Sequence, residues 1–188
     1  MNVSNYVADG GYIETFMGRK FFLNDPVFEL DDIAHALGMK VRYGGHCGRF
    51  YSVAEHSVLV SELCETLGCA SPMEGLLHDC VEAYLPDMPS PIKHVLPDFK
   101  ALEHRLEAAM HKQFGIEKTP GCKRADLLAM YIEADALLPS RGAFLFPDDP
   151  NGLRAEAAQL RKHGFGVVCF QPNAAKGYFL NRYRRLTS

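Results

Sequence analysis

Apolar residues along this chain recur mostly at helical spacing, and strict alternation is rare. Ile33, Ala34 and Leu37 predict a short helix over 31–39 with Asp31 as its cap. Ser52-Val-Ala-Glu55 has the form of a capping box, in which the serine oxygen takes an orphan N–H and the glutamate reaches back. Val53, Val60, Leu63, Cys64 and Leu67 then follow helical spacing until Gly68, with His56 on the same apolar face. Ser71-Pro-Met-Glu74 predicts a second start, with Leu76, Leu77, Cys80, Val81 and Tyr84 inward and Pro86 as the stop. Residues 86–97 hold four prolines and read as an ordered loop. Asp98 caps a long amphipathic helix carrying Phe99, Leu102, Leu106, Ala109 and Gln113, closed by Gly115. Further helices are predicted over 123–138, 153–163 and 173–186, with a loop at 142–152 that displays Phe144, Leu145 and Phe146. Only 12–23, alternating loosely around Met17-Gly18-Arg19, suggests a short hairpin. The expected fold is an all-α, non-repeating bundle, and 188 residues fit one domain over 1–188.

Composition narrows the classes. Hydrophobic residues at 47% and charged residues at 23% are ordinary for a packed globular chain. The net charge of −3 gives no global field for a nucleic-acid polymer. No apolar run is long enough for a membrane helix, and the first twenty residues lack the pattern of a secretory signal. Six scattered cysteines without a C-x-x-C read as reduced thiols, and the expected location is cytoplasm, a host's cytoplasm if the chain is phage-encoded.

Candidate chemistry starts at His78-Asp79. Adjacent helix positions lie about 100° apart, so both side chains can reach an ion over one flank. Taken alone, the pair reads more readily as a chance surface neighbour. His56 sits on an apolar helix face, where histidine is more often a satisfied core residue. A short turn between antiparallel helices nevertheless brings it to the height of His78-Asp79. Asp126 lies beside the apolar Ala125, Ala129 and Ile132, where an unpaired carboxylate is costly. Two histidines and two carboxylates form a mixed nitrogen and oxygen set that suits Mn, Fe, Co, Ni or Zn better than calcium.

In order, Arg42-Tyr43, Ser52-Val-Ala-Glu-His56-Ser57 and His78-Asp79-x-x-Glu82-x-x-x-x-Asp87 resemble the HD-domain phosphohydrolases. Within them, the small 5′-deoxynucleotidases and the phage-type enzymes that take triphosphate from deoxynucleotides are most similar. The resemblance runs over about 31–138. It implies a divalent ion (Co, Mn, Zn, Fe, Ni or Mg) held by His56, His78, Asp79 and a late aspartate. Arg124-Ala-Asp126 fits that last place better than its rival, Glu133-Ala-Asp135. It implies Glu82 and Asp87 at the scissile phosphate, as general acid or base or as holders of a second, substrate-bound ion. Glu82 follows His78 by one turn, which sets both on one side of a continuous helix.

Arg42 offers a bidentate fork for phosphate, and Tyr43, where the family commonly has tryptophan, can stack on a base or sugar. His46, Arg49 and Lys93 are further candidate phosphate contacts, and the glycines of 44–48 could turn amides toward an anion, although the G-K-[ST] ending of a P-loop is missing. Arg182, Arg184 and Arg185 read as a solvated or subunit-contact face. The implied reaction is hydrolysis at the α-phosphate of a deoxynucleotide. Deoxynucleoside triphosphates, dATP among them, stand ahead of monophosphates. A non-catalytic nucleotide- or metal-binding module is the alternative of another class. The expected partners are a small nucleotide and a second copy of the chain, with neither a membrane nor a nucleic-acid polymer.

Overall fold

The computed structural model describes residues 11–188. Half of the stretch read for a secretory signal, residues 1–10, therefore lies outside the described residues. Among those described, the chain forms a two-stranded hairpin and eight helices. The helices are α1 (Leu30–Met39), α2 (Val53–Leu67), α3 (Pro72–Leu77), α4 (Ser90–Lys93), α5 (Pro97–Phe114), α6 (Pro120–Leu137), α7 (Leu153–Lys162) and α8 (Pro172–Thr187). None is long and apolar enough to cross a membrane. The expected hairpin is present: β1 (Tyr12–Glu14) pairs antiparallel with β2 (Lys20–Phe22), Ile13 opposite Phe21.

Helix α2 is the axis of the fold. It packs against α1, α3, α6 and α8. Val53, Ala54 and Val58 face a core shared with α1, α3, α5 and α8, whereas Val60, Leu63 and Cys64 face a second one shared with α6 and α7. One apolar stripe was legible in the sequence, but burial extends around the helix, taking in Glu55, His56, Ser57 and Ser61. Helix α3 lies close on α2 because residue 75 is glycine. A Cβ there would come within 2.9 Å of Cys64 Sγ and Ser61 Cα. That approach brings the end of α3 to the level of His56.

Several helix ends differ from expectation. Ser52 Oγ accepts from Glu55 N as predicted, at 3.2 Å. Glu55 does not reach back to Ser52. Its Oε1 accepts from Val168 N (2.6 Å) and Cys169 N (2.8 Å), and its Oε2 from Phe170 N (2.9 Å). The positive φ of Cys169, 69°, curls three successive N–H groups toward one carboxylate. Ser71 makes no side-chain cap, and Glu74 instead accepts from Thr119 N and Oγ1. Asp31 lies inside the first turn of α1, with Glu29 in the capping position, and Asp98 lies inside the first turn of α5. Helix α6 starts earlier than predicted because Thr119 accepts from Cys122 N and Pro120 opens the first turn. The proline-rich loop contains α4.

The largest departure lies at His78-Asp79. The helix predicted to run on to Pro86 ends at Leu77. Asp79 takes φ −102°, ψ 13°, and a 3₁₀ turn follows over Cys80–Ala83. Lys40 holds that turn, donating from Nζ to the carbonyls of Glu82 and, at 2.6 Å, Leu85. Local spacing carries no sign of this tertiary contact, so the break was not legible.

Candidate metal centre and its two clefts

Three helices converge on one point. From α2, His56 is fully buried, while His78 and Asp79 follow the end of α3. His56 Nε2 lies 3.3 Å from His78 Nε2 and 3.5 Å from Asp79 Oδ2, and His78 Nε2 lies 3.3 Å from Asp79 Oδ2. These three residues form a group that could hold a metal ion. Asp126, from α6, brings Oδ1 to 3.2 Å from His56 Nε2 and 3.9 Å from His78 Nε2. Ligands bound at ~2.0–2.2 Å have edges of roughly 3–3.5 Å between them, so most of these distances are those of a coordination shell. The rival, Asp135, is elsewhere: it pairs with Arg141 at 2.8 Å and with Arg161.

The tautomers support the same reading. His78 Nδ1 lies 2.8 Å from the carbonyl of Gly75, which can only accept, so this nitrogen carries the proton. His56 Nδ1 donates to Glu133 Oε1 at 2.6 Å. Each neutral ring therefore turns a bare Nε2 toward the other and toward two carboxylates. Such a set could hold a cation at its centre. Burial opposes charge on His78, yet Asp79 beside it pushes the imidazole up to about 10, so without metal a proton serves as that cation. Asp79 is held well below the usual range: burial opposes this, but the two histidines and Arg42 outweigh it.

Glu133 was not singled out in the sequence as a functional residue. It is fully buried on α6 and ties four groups together. Besides His56, it accepts from Tyr51 Oη at 3.0 Å and Tyr43 Oη at 2.9 Å, and Arg42 Nε lies 3.3 Å away. Burial would raise its carboxyl, but His56 and Arg42 hold it below the ordinary range. Carboxylates behind metal-facing histidines fix ring orientation and basicity. A buried Glu among Ala and Ile on α6 was the available signal, and it resembled an ordinary helix acid.

The centre opens into two clefts. One, of about 230 Å³, is lined by Arg42, Tyr43, Asp79, Glu82, Asp87, Lys93 and Asp126, with Met130, Pro89 and Leu145 on its apolar side. Arg42 is buried and reaches Asp79 with Nη1 at 3.5 Å. Tyr43, at φ 58°, carries its ring beside that guanidinium. Lys93 bridges Glu103 Oε1 (2.6 Å) and Glu82 Oε1 (3.7 Å). Burial, with Asp79 and Asp87 nearby, pushes Glu82 well above the usual carboxylate range, against Arg42 and Lys93. Burial pushes Asp87 upward too. Arg42 Nε and Glu82 Oε2 are buried and have no hydrogen-bond partner among the described residues.

The other cleft, of about 270 Å³, shares Asp79 and Asp126 with the first and is also lined by His78, His111, Lys118 and Lys123, with Glu74 and Glu107. Sequence reasoning named none of His111, Lys118 and Lys123. His46 and Arg49 are exposed and line neither cleft. Arg182 is not a free surface charge: it binds Ser61 and Glu65 on α2.

No family model matches this sequence. The chain is 34% identical over 182 residues to the uncharacterized protein YfdR of Escherichia coli (strain K12), covering 94% of this chain and 96% of that one. It belongs to the family of that protein. It is also 36% identical over 136 residues to the uncharacterized protein RCAP_rcc00048 of Rhodobacter capsulatus, covering 64% of this chain and 69% of the relative.

Proposed function

We propose that the chain is a metal-dependent HD-domain phosphohydrolase that cleaves deoxynucleotides at the α-phosphate. The observation that carries the reading is the pair of bare Nε2 atoms 3.3 Å apart, flanked by Asp79 and Asp126. The cleft beside them holds Arg42, Lys93, Glu82 and Asp87. A bound divalent ion supplies positive charge at the phosphoryl oxygens and lowers the pKa of the attacking water. Arg42, held by Asp79 and Glu133, faces the phosphate with a pre-oriented guanidinium. Tyr43, Met130 and Leu145 give the sugar and base an apolar wall.

Water attacks the α-phosphorus, and the bond from phosphorus to O5′ breaks. Glu82, whose carboxyl burial pushes above the usual carboxylate range, gives its proton to O5′, and Asp87 in the same cleft takes the proton of the attacking water. Triphosphates are favoured over monophosphates because the second cleft places Lys118, Lys123 and His111 beyond Asp126, where further phosphates would extend. His46 and Arg49, the loop residues first considered for that role, do not reach either cleft.

The test incubates the purified chain with Co²⁺, Mn²⁺, Mg²⁺ or Zn²⁺ and a panel of deoxynucleoside mono- and triphosphates. Triphosphate release that disappears in Asp79→Ala is expected. Phosphate release from monophosphates alone would make the enzyme a 5′-deoxynucleotidase. No turnover by folded, metal-loaded protein would leave a nucleotide-binding module.

A further inference from the structure

Across α6 from the metal centre lies a separate cavity of about 300 Å³ that the hydrolytic reading does not use. Tyr131 and Phe146 form one wall, stacked with centroids 3.9 Å apart, and the small residues Gly142, Ala157 and Ala158 leave the space open. Three arginines line it, Arg141, Arg154 and Arg161, against one carboxylate, Asp135. Arg141 and Arg161 both lean on Asp135. Arg154 donates to the Phe146 carbonyl at 2.8 Å, and its guanidinium lies 5.7 Å from the Tyr131 centroid. The nearby Asp149 accepts from Tyr131 Oη and from the backbone N–H groups of Leu153 and Arg154, and its charge offsets part of that of Arg154.

The backbone adds a second, independent observation. Arg141 has φ 51°, a left-handed conformation that costs a non-glycine residue free energy and persists only where surroundings enforce it. The turn is fixed by Arg141 N to the Leu138 carbonyl (2.9 Å) and Phe146 N to the Gly142 carbonyl (2.9 Å). It directs a side chain that is 73% exposed back over the cavity.

We infer that this cavity is a binding site for a phosphoryl anion, separate from the metal centre. Three guanidinium groups around one opening suit the charge and fork-like bonding of a phosphoryl anion, and Asp135 is the carboxylate with which such an anion would compete. Phe146 already stacks on Tyr131 and the Arg154 guanidinium lies 5.7 Å from its centroid, so recognition falls on the phosphate groups.

The test is calorimetric titration of the full chain, stripped of metal with EDTA, with inorganic tripolyphosphate. One binding event per chain is expected in a Lys118→Ala and Lys123→Ala background, which removes the lysines of the second cleft. Arg141→Ala with Arg161→Ala weakens it about tenfold or more, while Asp135→Asn, which removes the competing carboxylate, tightens it several-fold. A gain of affinity cannot come from misfolding, so the two variants together separate loss of the site from loss of structure. Binding that is undetectable in that background overturns the inference. So does binding unchanged by the arginine substitutions, or weakened by Asp135→Asn. A parallel titration with a deoxynucleoside triphosphate distinguishes the source. Affinity equal to that for tripolyphosphate assigns the bare phosphate chain, and tighter binding that the arginine substitutions also remove assigns a nucleotide.

Discussion

His56 Nδ1 sits 2.6 Å from Glu133 Oε1, and that contact decides which nitrogen of His56 faces the metal centre. The carboxylate accepts the hydrogen bond from Nδ1–H, which keeps the proton on Nδ1 and leaves Nε2 with a free lone pair. Glu133 also fixes Tyr43, Tyr51 and Arg42, so one buried residue sets the geometry of both a candidate metal-binding histidine and the arginine proposed to bind phosphate. Glu133→Gln retains volume and one acceptor but loses the charge opposite Arg42. It is expected to fold and to bind Mn²⁺ about 10–100-fold more weakly, as substitutions behind metal-ligating histidines typically do. Titration of the metal-free protein with Mn²⁺ measures this, and unchanged affinity would show that Glu133 merely fills the core.

The helical order and the grouping of His56, His78 and Asp79 were legible in the sequence because both rest largely on local signals. Ser52, Gly68, Pro72 and Gly115 mark helix ends by their own conformational preferences, and all four lie at ends in the structure. The break at Asp79 was not legible, since it depends on Lys40 binding two carbonyls some 40 residues on. The same holds for Glu133, Lys118 and Lys123. Each has an ordinary helix-acid or surface-lysine context in sequence, and only packing shows whether it faces a site or solvent. His46 and Arg49 illustrate the converse: closeness to Arg42 along the chain did not bring them to its cleft, because the chain turns through left-handed Tyr43, Gly44 and Gly45.

Glu55 gives a prediction about stability alone. Its carboxylate satisfies three backbone N–H groups at 168–170, and with them the segment leading into α8. Glu55→Ala orphans all three donors, at a cost of roughly 3–5 kcal/mol. For a chain of this size that lowers the thermal midpoint by about 10 °C or more. Thermal denaturation checks it, and Mn²⁺ affinity measured well below the transition is expected to be unchanged.

Glu82 gives the opposite sign. Burial first, then Asp79 and Asp87, raise its carboxyl above the unfolded value. A group raised in this way is harmless below its unfolded pKa, where both states hold the proton. As pH rises, the unfolded state ionises first, and the folded state becomes relatively less stable until it ionises too. Glu82→Gln is therefore expected to be nearly neutral at about pH 4 and stabilising at about pH 8 in the metal-free protein. Unfolding midpoints of both proteins across that range, with EDTA present, test it. A gap that narrows with rising pH would mean that Glu82 is ionised and well paired in the folded chain. The stabilised variant is also expected to lose turnover, since the buried carboxyl that weakens the fold is the proton donor of the proposed reaction.

The two clefts make separable demands on substrate. A monophosphate placed at the metal centre with its sugar toward Tyr43 and Leu145 engages Arg42 and Lys93 and leaves Lys123 beyond reach. A triphosphate in the same pose extends past Asp126, and Lys118 and Lys123 line the cleft there. Lys118 is already paired with Glu107 at 3.1 Å, so Lys123 is the better reporter. Lys123→Ala removes one charge-assisted contact to phosphate, which corresponds to about a tenfold rise in KM for deoxynucleoside triphosphates. Monophosphate kinetics should stay within about twofold, because that substrate never makes the contact. His46→Ala and Arg49→Ala should leave both substrates unaffected. Steady-state kinetics on the three variants with matched mono- and triphosphates decides among the poses. If His46→Ala or Arg49→Ala selectively impaired the triphosphate while Lys123→Ala did not, the phosphate chain would run along the 44–49 loop, and the second cleft would have no part in substrate binding.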